Sequence, residues 1–163
     1  MIILGIDPGY AIVGYGILNY QNNRFEILDF GAITTPAEMS FPQRLKAIHT
    51  DMTFLFEKFH PDAMSIEKLF FNTNQKTAID VAQARGVIML SAIQHNVEIF
   101  EYTPLQVKQS VVGYGRAEKK QVQEMTKSIL NLPGIPKPDD TADALALALC
   151  HAHCSGSLFS KIK

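Results

Sequence analysis

The order in which hydrophobic patterns follow one another constrains the fold of this chain more than any other feature. Residues 2–6 form a continuous apolar run, as in a central strand covered on both faces, and Asp7-Pro8-Gly9 ends the run in a turn. Two further strand-like runs, residues 11–20 and 25–33, are joined by the polar turn Gln21-Asn22-Asn23. Because these connections are short, we expect three antiparallel strands.

Beyond these runs the periodicity becomes helical and then alternates. Apolar residues at helical spacing from Leu45 to Phe59 follow Ser40 and Gln43 in a capping-box arrangement, with Pro42 in the first turn. Strands are then predicted at residues 63–67 and 97–102, and helices at 75–94, 105–112, 118–130 and 141–153. Strand-helix alternation implies parallel pairing, with the carboxyl ends of the strands at one edge. We therefore predict an α/β fold whose mixed five-stranded sheet is flanked by helices, in the order βββαβαβ followed by helices.

Composition limits the class of protein. A chain of 163 residues, 47% of them hydrophobic, can bury one sizeable core, and the absence of a linker predicts a single domain, residues 1–163. No apolar run approaches the ~20 residues that span a bilayer, and Met1 leads straight into a strand. We expect a cytoplasmic protein without a membrane partner. The net charge of −1 means that any nucleic-acid surface depends on local segregation of charge.

Four carboxylates are the candidates for chemistry. Asp7 and Glu67 each end a predicted strand, and Asp140 and Asp143, three residues apart, share one face of a predicted helix. Taken alone, Asp7 is explained equally well as a turn residue. The helical pair is explained as capping residues whose negative charge interacts favourably with the helix dipole. Together they form an oxygen-rich set without soft ligands, which suits magnesium or manganese. Spacing alone leaves Asp139 as a competitor of Asp140.

A basic segment and two aromatic residues are candidates for binding nucleic acid. Residues 103–127 carry five cations and two carboxylates, an excess of three positive charges: Lys108, Arg116, Lys119, Lys120 and Lys127 against Glu118 and Glu124. This segment is either a phosphate-binding stripe or a solvated helix face. Phe70 and Phe71 enter a polar segment directly after Glu67, where they either stack on bases or pack beneath the loop.

The predicted helix at 75–94 carries more apolar residues than one core easily covers. One stripe along the helix consists of Ala78, Ile79, Ala82, Gly86, Met89, Leu90 and Ile93. A second set of apolar positions widens it around the helix, namely Val81, Ala84, Ile88 and Ala92. Burial against a second subunit would explain both faces, and Gly86 would permit close approach. Full burial within one chain is the alternative.

Cysteine and histidine residues cluster near the carboxyl end, at residues 150–154. Cys150 and Cys154 are one helical turn apart, which is the spacing of some zinc ligands. We reject a zinc site here because four alternating ligands on one short helix cannot converge on a tetrahedral ion. The two thiols are interpreted as small helix residues, and they form no disulfide framework, as expected in a reducing compartment.

Several of these stretches, in order and over nearly the whole chain, closely resemble the RuvC family of Holliday-junction resolvases. They are ILGIDPG at residues 3–9 with GYG at 14–16, IEKLF at 66–70, QARGV at 83–87, QVKQ at 106–109 with VVG at 111–113, AEK at 117–119, and DTADALA at 140–146. The resemblance implies a ribonuclease H-like fold, in agreement with the order of elements. It also implies a structure-selective endonuclease of recombination and repair that cuts four-way DNA junctions and leaves 5′-phosphate and 3′-hydroxyl ends.

The resemblance further implies roles for particular residues and partners. Asp7, Glu67, Asp140 and Asp143 would be the catalytic metal ligands, since Asp140 rather than Asp139 matches the family's Asp-x-x-Asp-Ala-Leu-Ala pattern. Phe70, Lys108 and Lys119 match DNA-contacting positions of the family. The expected cofactor is Mg²⁺, two ions per active site, with Mn²⁺ able to substitute. The expected partners are junction DNA, a second copy of the chain in a homodimer, and a branch-migration motor complex.

Two other functions share part of this pattern. A sugar-kinase or chaperone-type ATPase also opens with a Gly-Ile-Asp-x-Gly hairpin that binds phosphate. This chain is too short for the two lobes of such an ATPase, and no second glycine-rich phosphate loop is present. A junction-binding adaptor that had lost catalysis would tolerate loss of the carboxylates, whereas all four are present here.

Overall fold

The computed structural model describes residues 1–69 and 75–156 and contains the elements that the sequence predicts, in the predicted order. The strands are β1 (Ile2–Asp7), β2 (Ile12–Gln21), β3 (Arg24–Thr34), β4 (Ala63–Glu67) and β5 (Glu98–Tyr102). The helices are α1 (Phe41–Phe59), α2 (Gln75–Gln94), α3 (Pro104–Val112), α4 (Lys119–Ile129) and α5 (Asp139–Ser155). The main difference from the prediction is at α5, which begins two residues earlier than expected, so that Asp139 and Asp140 lie in its first turn.

The five strands form one mixed sheet in the order β3-β2-β1-β4-β5. β1 pairs antiparallel with β2, and β2 with β3, whereas β1 pairs parallel with β4, and β4 with β5. Both predictions, the antiparallel meander and the parallel strands that follow it, are confirmed. The carboxyl ends of β1, β4 and β5 consequently lie along one edge of the sheet.

Alternate residues of β1 serve two separate cores. Leu4 and Ile6 belong to a buried cluster with residues of α1 and α2, including Ile48 and Ile88. Ile3 lies in a second cluster on the other face, with α5 and residues of α3 and α4. Because side chains alternate along a strand, Gly5 and the terminal Asp7 share the α5 face with Ile3. The period-two pattern of one short strand therefore points its only carboxylate toward α5.

Glycines let the backbone of α5 lie directly on β1 and β2. A methyl group at Gly5 would lie 2.0 Å from the carbonyl oxygen of Ala144, and one at Gly14 would lie 2.0 Å from that of Asp140. Neither position can therefore carry a side chain without displacing the helix. The contact explains why α5 is buried on nearly all sides from Thr141 to Ala152, with Asp143 as the half-buried exception.

Side-chain caps fix where α1 and α3 begin. The Ser40 backbone amide donates to Gln43 Oε1 at 2.9 Å, as the predicted capping box requires. At α3, Gln106 N donates to Thr103 Oγ1 at 3.1 Å, and Thr103 N donates to Gln106 Oε1 at 2.8 Å. This second box places the first turn of α3 immediately after β5, beside the edge where the parallel strands end.

The structure leaves one apolar face of α2 uncovered. Ala84, Ile88 and Ala92 are completely buried against the sheet, whereas Ile79, Leu90 and Ile93 are 63%, 53% and 61% exposed. Full burial of this helix within one chain, the alternative to a subunit contact, is therefore wrong. In the ranges 1–69 and 75–156, no helix combines the length and apolarity needed to cross a membrane.

Candidate active site

The two carboxylates at strand ends lie on adjacent parallel strands and on the same face of the sheet. Ile6 of β1 pairs with Ile66 of β4, so Asp7 and Glu67 follow side by side. The buried Ser65 hydroxyl donates to the carbonyl oxygen of Leu147 in α5 at 2.7 Å. Glu67, two residues beyond Ser65, therefore also faces α5.

The helical pair reaches the same place because of how α5 is seated. Gly14, which contacts the Asp140 backbone, is the strand partner of Asp7. The Thr141 hydroxyl donates to the carbonyl oxygen of Gly31 in β3 at 3.0 Å, which fixes the first turn of α5 to the sheet. The first turns of α5 thus lie over the end of β1, as the grouping predicted from the sequence requires.

The other three carboxylates lie close enough to Asp7 to repel its charge. Burial, together with the charges of Glu67, Asp143 and Asp140, raises the pKa of Asp7 to about 8. The pKa of Glu67 is raised by burial and by Asp143. Lys119 lowers both pKa values. A cluster that holds protons so strongly is one that a divalent cation would stabilise.

Lysines complete an open cleft of about 400 Å³ above the cluster. Its lining includes Asp7, Glu67, Asp143, Lys108 and Lys119. Lys119, at the start of α4, forms an ion pair with Asp143 at 2.7 Å, and this bond is the main cause of the raised pKa of the lysine. The cleft therefore combines a site for cations with ammonium groups that can bind phosphate.

The structure separates Asp139 from Asp140. Asp139 accepts a hydrogen bond from Lys137 Nζ at 2.5 Å, which lowers the pKa of Asp139. Asp140, in contrast, is one of the carboxylates whose charge raises the pKa of Asp7. The charge of Asp140 thus acts on Asp7, whereas Asp139 pairs with Lys137 at the surface and also contacts Gln123.

The donor chemistry of this cluster fits Mg²⁺ or Mn²⁺, because every candidate ligand atom is a carboxylate oxygen. Within the described ranges, no three His, Cys, Asp or Glu side chains converge tightly enough to hold an ion as they stand. The ion pair between Lys119 and Asp143 is one reason, since the ammonium already contacts an oxygen of a candidate ligand.

Phe70, the candidate base-stacking residue, lies outside the described residues. The cysteines and histidines of the 150–154 segment lie away from the carboxylate cluster. Cys150 is buried, and burial raises the pKa of its thiol to about 12, whereas Cys154 is exposed. His151 contacts the Tyr102 hydroxyl through Nδ1 at 2.8 Å.

Sequence reasoning assigned no role to Arg85, which contacts the backbone of Glu67 from α2. Its guanidinium also forms an ion pair with Glu101 on β5. The signal that could have found it is a single arginine within an otherwise apolar stretch of helix, because such a charge needs partners on the sheet.

Comparison with known proteins identifies the family. A family model described as "Crossover junction endodeoxyribonuclease RuvC" matches residues 3–151. A protein of that name from Alkaliphilus oremlandii is 65% identical over 153 residues, which cover 94% of this chain and 93% of the relative. The corresponding protein from Ruminiclostridium cellulolyticum is 61% identical over 160 residues, 97% of this chain and 96% of the relative.

A solved structure supports the same assignment. The structure of Thermus thermophilus RuvC in complex with a Holliday junction substrate is 33% identical, has a TM-score of 0.90, and is matched over 95% of this chain and 94% of that one. The ribonuclease H-like fold implied by the sequence resemblance is thereby confirmed.

In protein kept free of divalent metal by a chelator, we predict that Asp7→Asn is more stable than the wild type at pH 8. The pKa of Asp7 is about 8 in the folded chain against an ordinary value of 3.8, so folding takes up a proton between these values. The free energy of unfolding therefore falls as pH rises through this window, and Asn removes that loss. Urea denaturation should show a difference of about 2–4 kcal/mol at pH 8 that shrinks toward pH 4.

The matched control is Glu57→Gln, which removes an exposed carboxylate on α1. This variant should follow the wild type at both pH values. If Asp7→Asn gained no stability over the wild type at pH 8, the electrostatic description of the cluster would be wrong.

Proposed function

This chain belongs to the RuvC family of crossover junction endodeoxyribonucleases, and from that premise we propose that its carboxylate cluster cuts four-way DNA junctions. The observation that carries the proposal is the approach of Asp140 and Asp143 to Asp7 and Glu67 in an open cleft with Lys108 and Lys119. The reaction is hydrolysis of a phosphodiester bond, which leaves 5′-phosphate and 3′-hydroxyl ends. The family membership argues against the ATPase alternative.

Mg²⁺ is the proposed cofactor, two ions per site, with Mn²⁺ able to replace it. Asp7, Glu67, Asp140 and Asp143 would hold the ions through their carboxylate oxygens. When bound, such a pair would supply an activated water molecule for attack on the phosphorus and stabilisation of the leaving oxygen. The mutual repulsion that raises the pKa of Asp7 supports this arrangement, because bound cations would offset it.

The lysines of the cleft orient the scissile strand. Lys108 and Lys119 line the same cleft as three of the carboxylates, so a phosphate bound by them lies next to the ligands. Lys119 would exchange its contact with Asp143 for a phosphate oxygen when DNA enters. This exchange would free an oxygen of Asp143 for the cofactor. Phe70 stays a predicted base-stacking contact.

A homodimer explains how both strands are cut. A four-way junction has approximate two-fold symmetry, and its resolution into two duplexes requires matched cuts in two strands of like polarity. The uncovered face of α2, which carries Ile79, Gly86, Leu90 and Ile93 at helical spacing, is the proposed contact. A Cβ added at Gly86 would meet no atom of the described part of the chain within 4 Å, which leaves room for a second helix on this face. A branch-migration motor as partner and a cytoplasmic location stay predictions from the resemblance.

The carboxylate assignment predicts that Asp140→Asn and Asp139→Asn behave differently, although the residues are neighbours. Asp140→Asn should lower junction cutting in Mg²⁺ at least about 100-fold, because a cofactor ligand is lost. Asp139→Asn should cut at nearly the wild-type rate, since Asp139 accepts hydrogen bonds from Lys137 and Gln123 and is not among the carboxylates whose charge raises the pKa of Asp7. Single-turnover cleavage of an end-labelled junction measures both rates.

Junction binding in the same experiment separates catalysis from recognition. Both variants should bind the junction in chelator as tightly as the wild type, because the lysines of the cleft are unchanged. Equal loss of cutting in the two variants, or normal cutting by Asp140→Asn, would overturn the assignment.

The proposed interface predicts that Gly86→Leu converts a dimer into a folded monomer. A Cβ added here would meet no atom of residues 1–69 and 75–156 within 4 Å, so the fold should be kept while close approach of a second helix is blocked. Light scattering should report the monomer, and the variant should nick junctions but produce few paired cuts.

The matched control is Gly134→Leu, which also adds a side chain where no atom lies within 4 Å, in the segment before α5. It should stay dimeric. A Gly86→Leu protein that is dimeric and resolves junctions at the normal rate would rule out this face of α2.

A further inference from the structure

Arg85 is a nearly buried cation that joins α2 to the end of β4. Its side chain is 13% exposed, and its guanidinium contacts three groups. Nε donates to the backbone carbonyl oxygen of Glu67 at 3.3 Å, and Nη1 approaches Met89 Sδ at 3.1 Å. Nη2 forms an ion pair with Glu101 of β5. A guanidinium with this many partners has little freedom to move.

These contacts fall at the last residue of β4 in its ladder with β5. Glu67 pairs with Tyr102, and the amide of Lys68 donates to the Tyr102 carbonyl oxygen at 2.8 Å. The peptide between Glu67 and Lys68 is thus held at both ends. Its N–H donates to Tyr102 of β5, and its carbonyl oxygen, that of Glu67, accepts from Arg85 of α2. The peptide that orients the Glu67 carboxylate is therefore fixed from two elements.

Arg85 does not act on the Glu67 carboxylate through its charge. The charges that change the pKa of Glu67 are those of Asp143 and Lys119, which lie on the α5 side of the sheet. The charge of Arg85 is paired with Glu101, whose side chain is 42% exposed at the sheet edge. Arg85 thus acts on Glu67 through the backbone bond.

We propose that Arg85 is a positioning residue, whose guanidinium fixes the Glu67 peptide so that the carboxylate points into the cleft in a geometry that binds a divalent ion. This inference rests on the proposed function, because it assigns Glu67 to the metal. A planar guanidinium reaches Glu67 and Glu101 at once, whereas the single nitrogen of lysine cannot replace both contacts. Arg85 directly precedes Gly86, so the helix with the proposed dimer face also holds an active-site residue in place.

The test is Mn²⁺ binding by calorimetry to the full chain without DNA, with Mg²⁺-dependent junction cutting as a second measurement. Arg85→Gln and Arg85→Lys should both bind Mn²⁺ about 10-fold more weakly than the wild type. Junction binding in chelator should be unchanged. Glu98→Gln, an exposed carboxylate on the same edge strand as Glu101, is the matched control and should bind Mn²⁺ normally.

A double variant shows whether Arg85 acts through Glu67. In a Glu67→Gln background, Arg85→Gln should cause no further loss of Mn²⁺ affinity. Should Arg85→Gln fail to fold, Glu101→Gln tests the same contact from the exposed side and should weaken Mn²⁺ binding in the same direction.

Three results would overturn the inference. These are normal Mn²⁺ binding by the Arg85 or Glu101 variants, recovery of affinity in Arg85→Lys, and an independent loss in the double variant. If the wild type itself neither bound Mn²⁺ nor cut junctions, the proposed function would fail first, so the two failures are distinguishable.

Discussion

The direct contact between the backbone of α5 and the side-chain-free positions of β1 and β2 is the constraint on which the site depends. At Gly5 and Gly14 a single added carbon would lie 2.0 Å from a carbonyl oxygen of the helix, so the distance between helix and sheet is set by backbone atoms. Gly14 is the strand partner of Asp7 and contacts Asp140. The same contact that packs α5 on the sheet therefore also brings together carboxylates from distant parts of the chain.

The clustering of carboxylates lowers the stability of the folded chain, but it creates a site that can bind cations. Burial and like charge together raise the pKa of Asp7 to about 8, so the folded chain pays a free-energy penalty when the cluster is ionised. Lys119 offsets part of it through Asp143. The rest of α5, buried from Thr141 to Ala152 apart from Asp143, supplies the apolar contacts that hold the charged end in place. Active sites commonly combine a locally destabilising group of charges with a well-packed scaffold.

Hydrophobic periodicity predicted the order of the elements and the sheet topology, because strand ends and helix starts carry strong local signals at the Asp7 turn and the Ser40 cap. Spacing left Asp139 and Asp140 as alternatives. What separates them is that the charge of Asp140 raises the pKa of Asp7, and this depends on how α5 is seated on the sheet. The role of Arg85 was hidden for a similar reason. Its partners lie on two different strands, and no local pattern records which helix residue faces them.

Metal-dependent cutting at the carboxylate cluster is tested most directly with a synthetic four-way junction, end-labelled on each strand in turn and incubated with the wild-type protein in chelator and then in Mg²⁺. We expect no cutting in chelator and, after Mg²⁺ is added, paired cuts at matching positions in two strands of like polarity, with 5′-phosphate ends. A linear duplex of the same sequence should stay intact. Equal cutting with and without the metal would rule out a metal-dependent cluster, and equal cutting of junction and duplex would rule out selectivity for junctions.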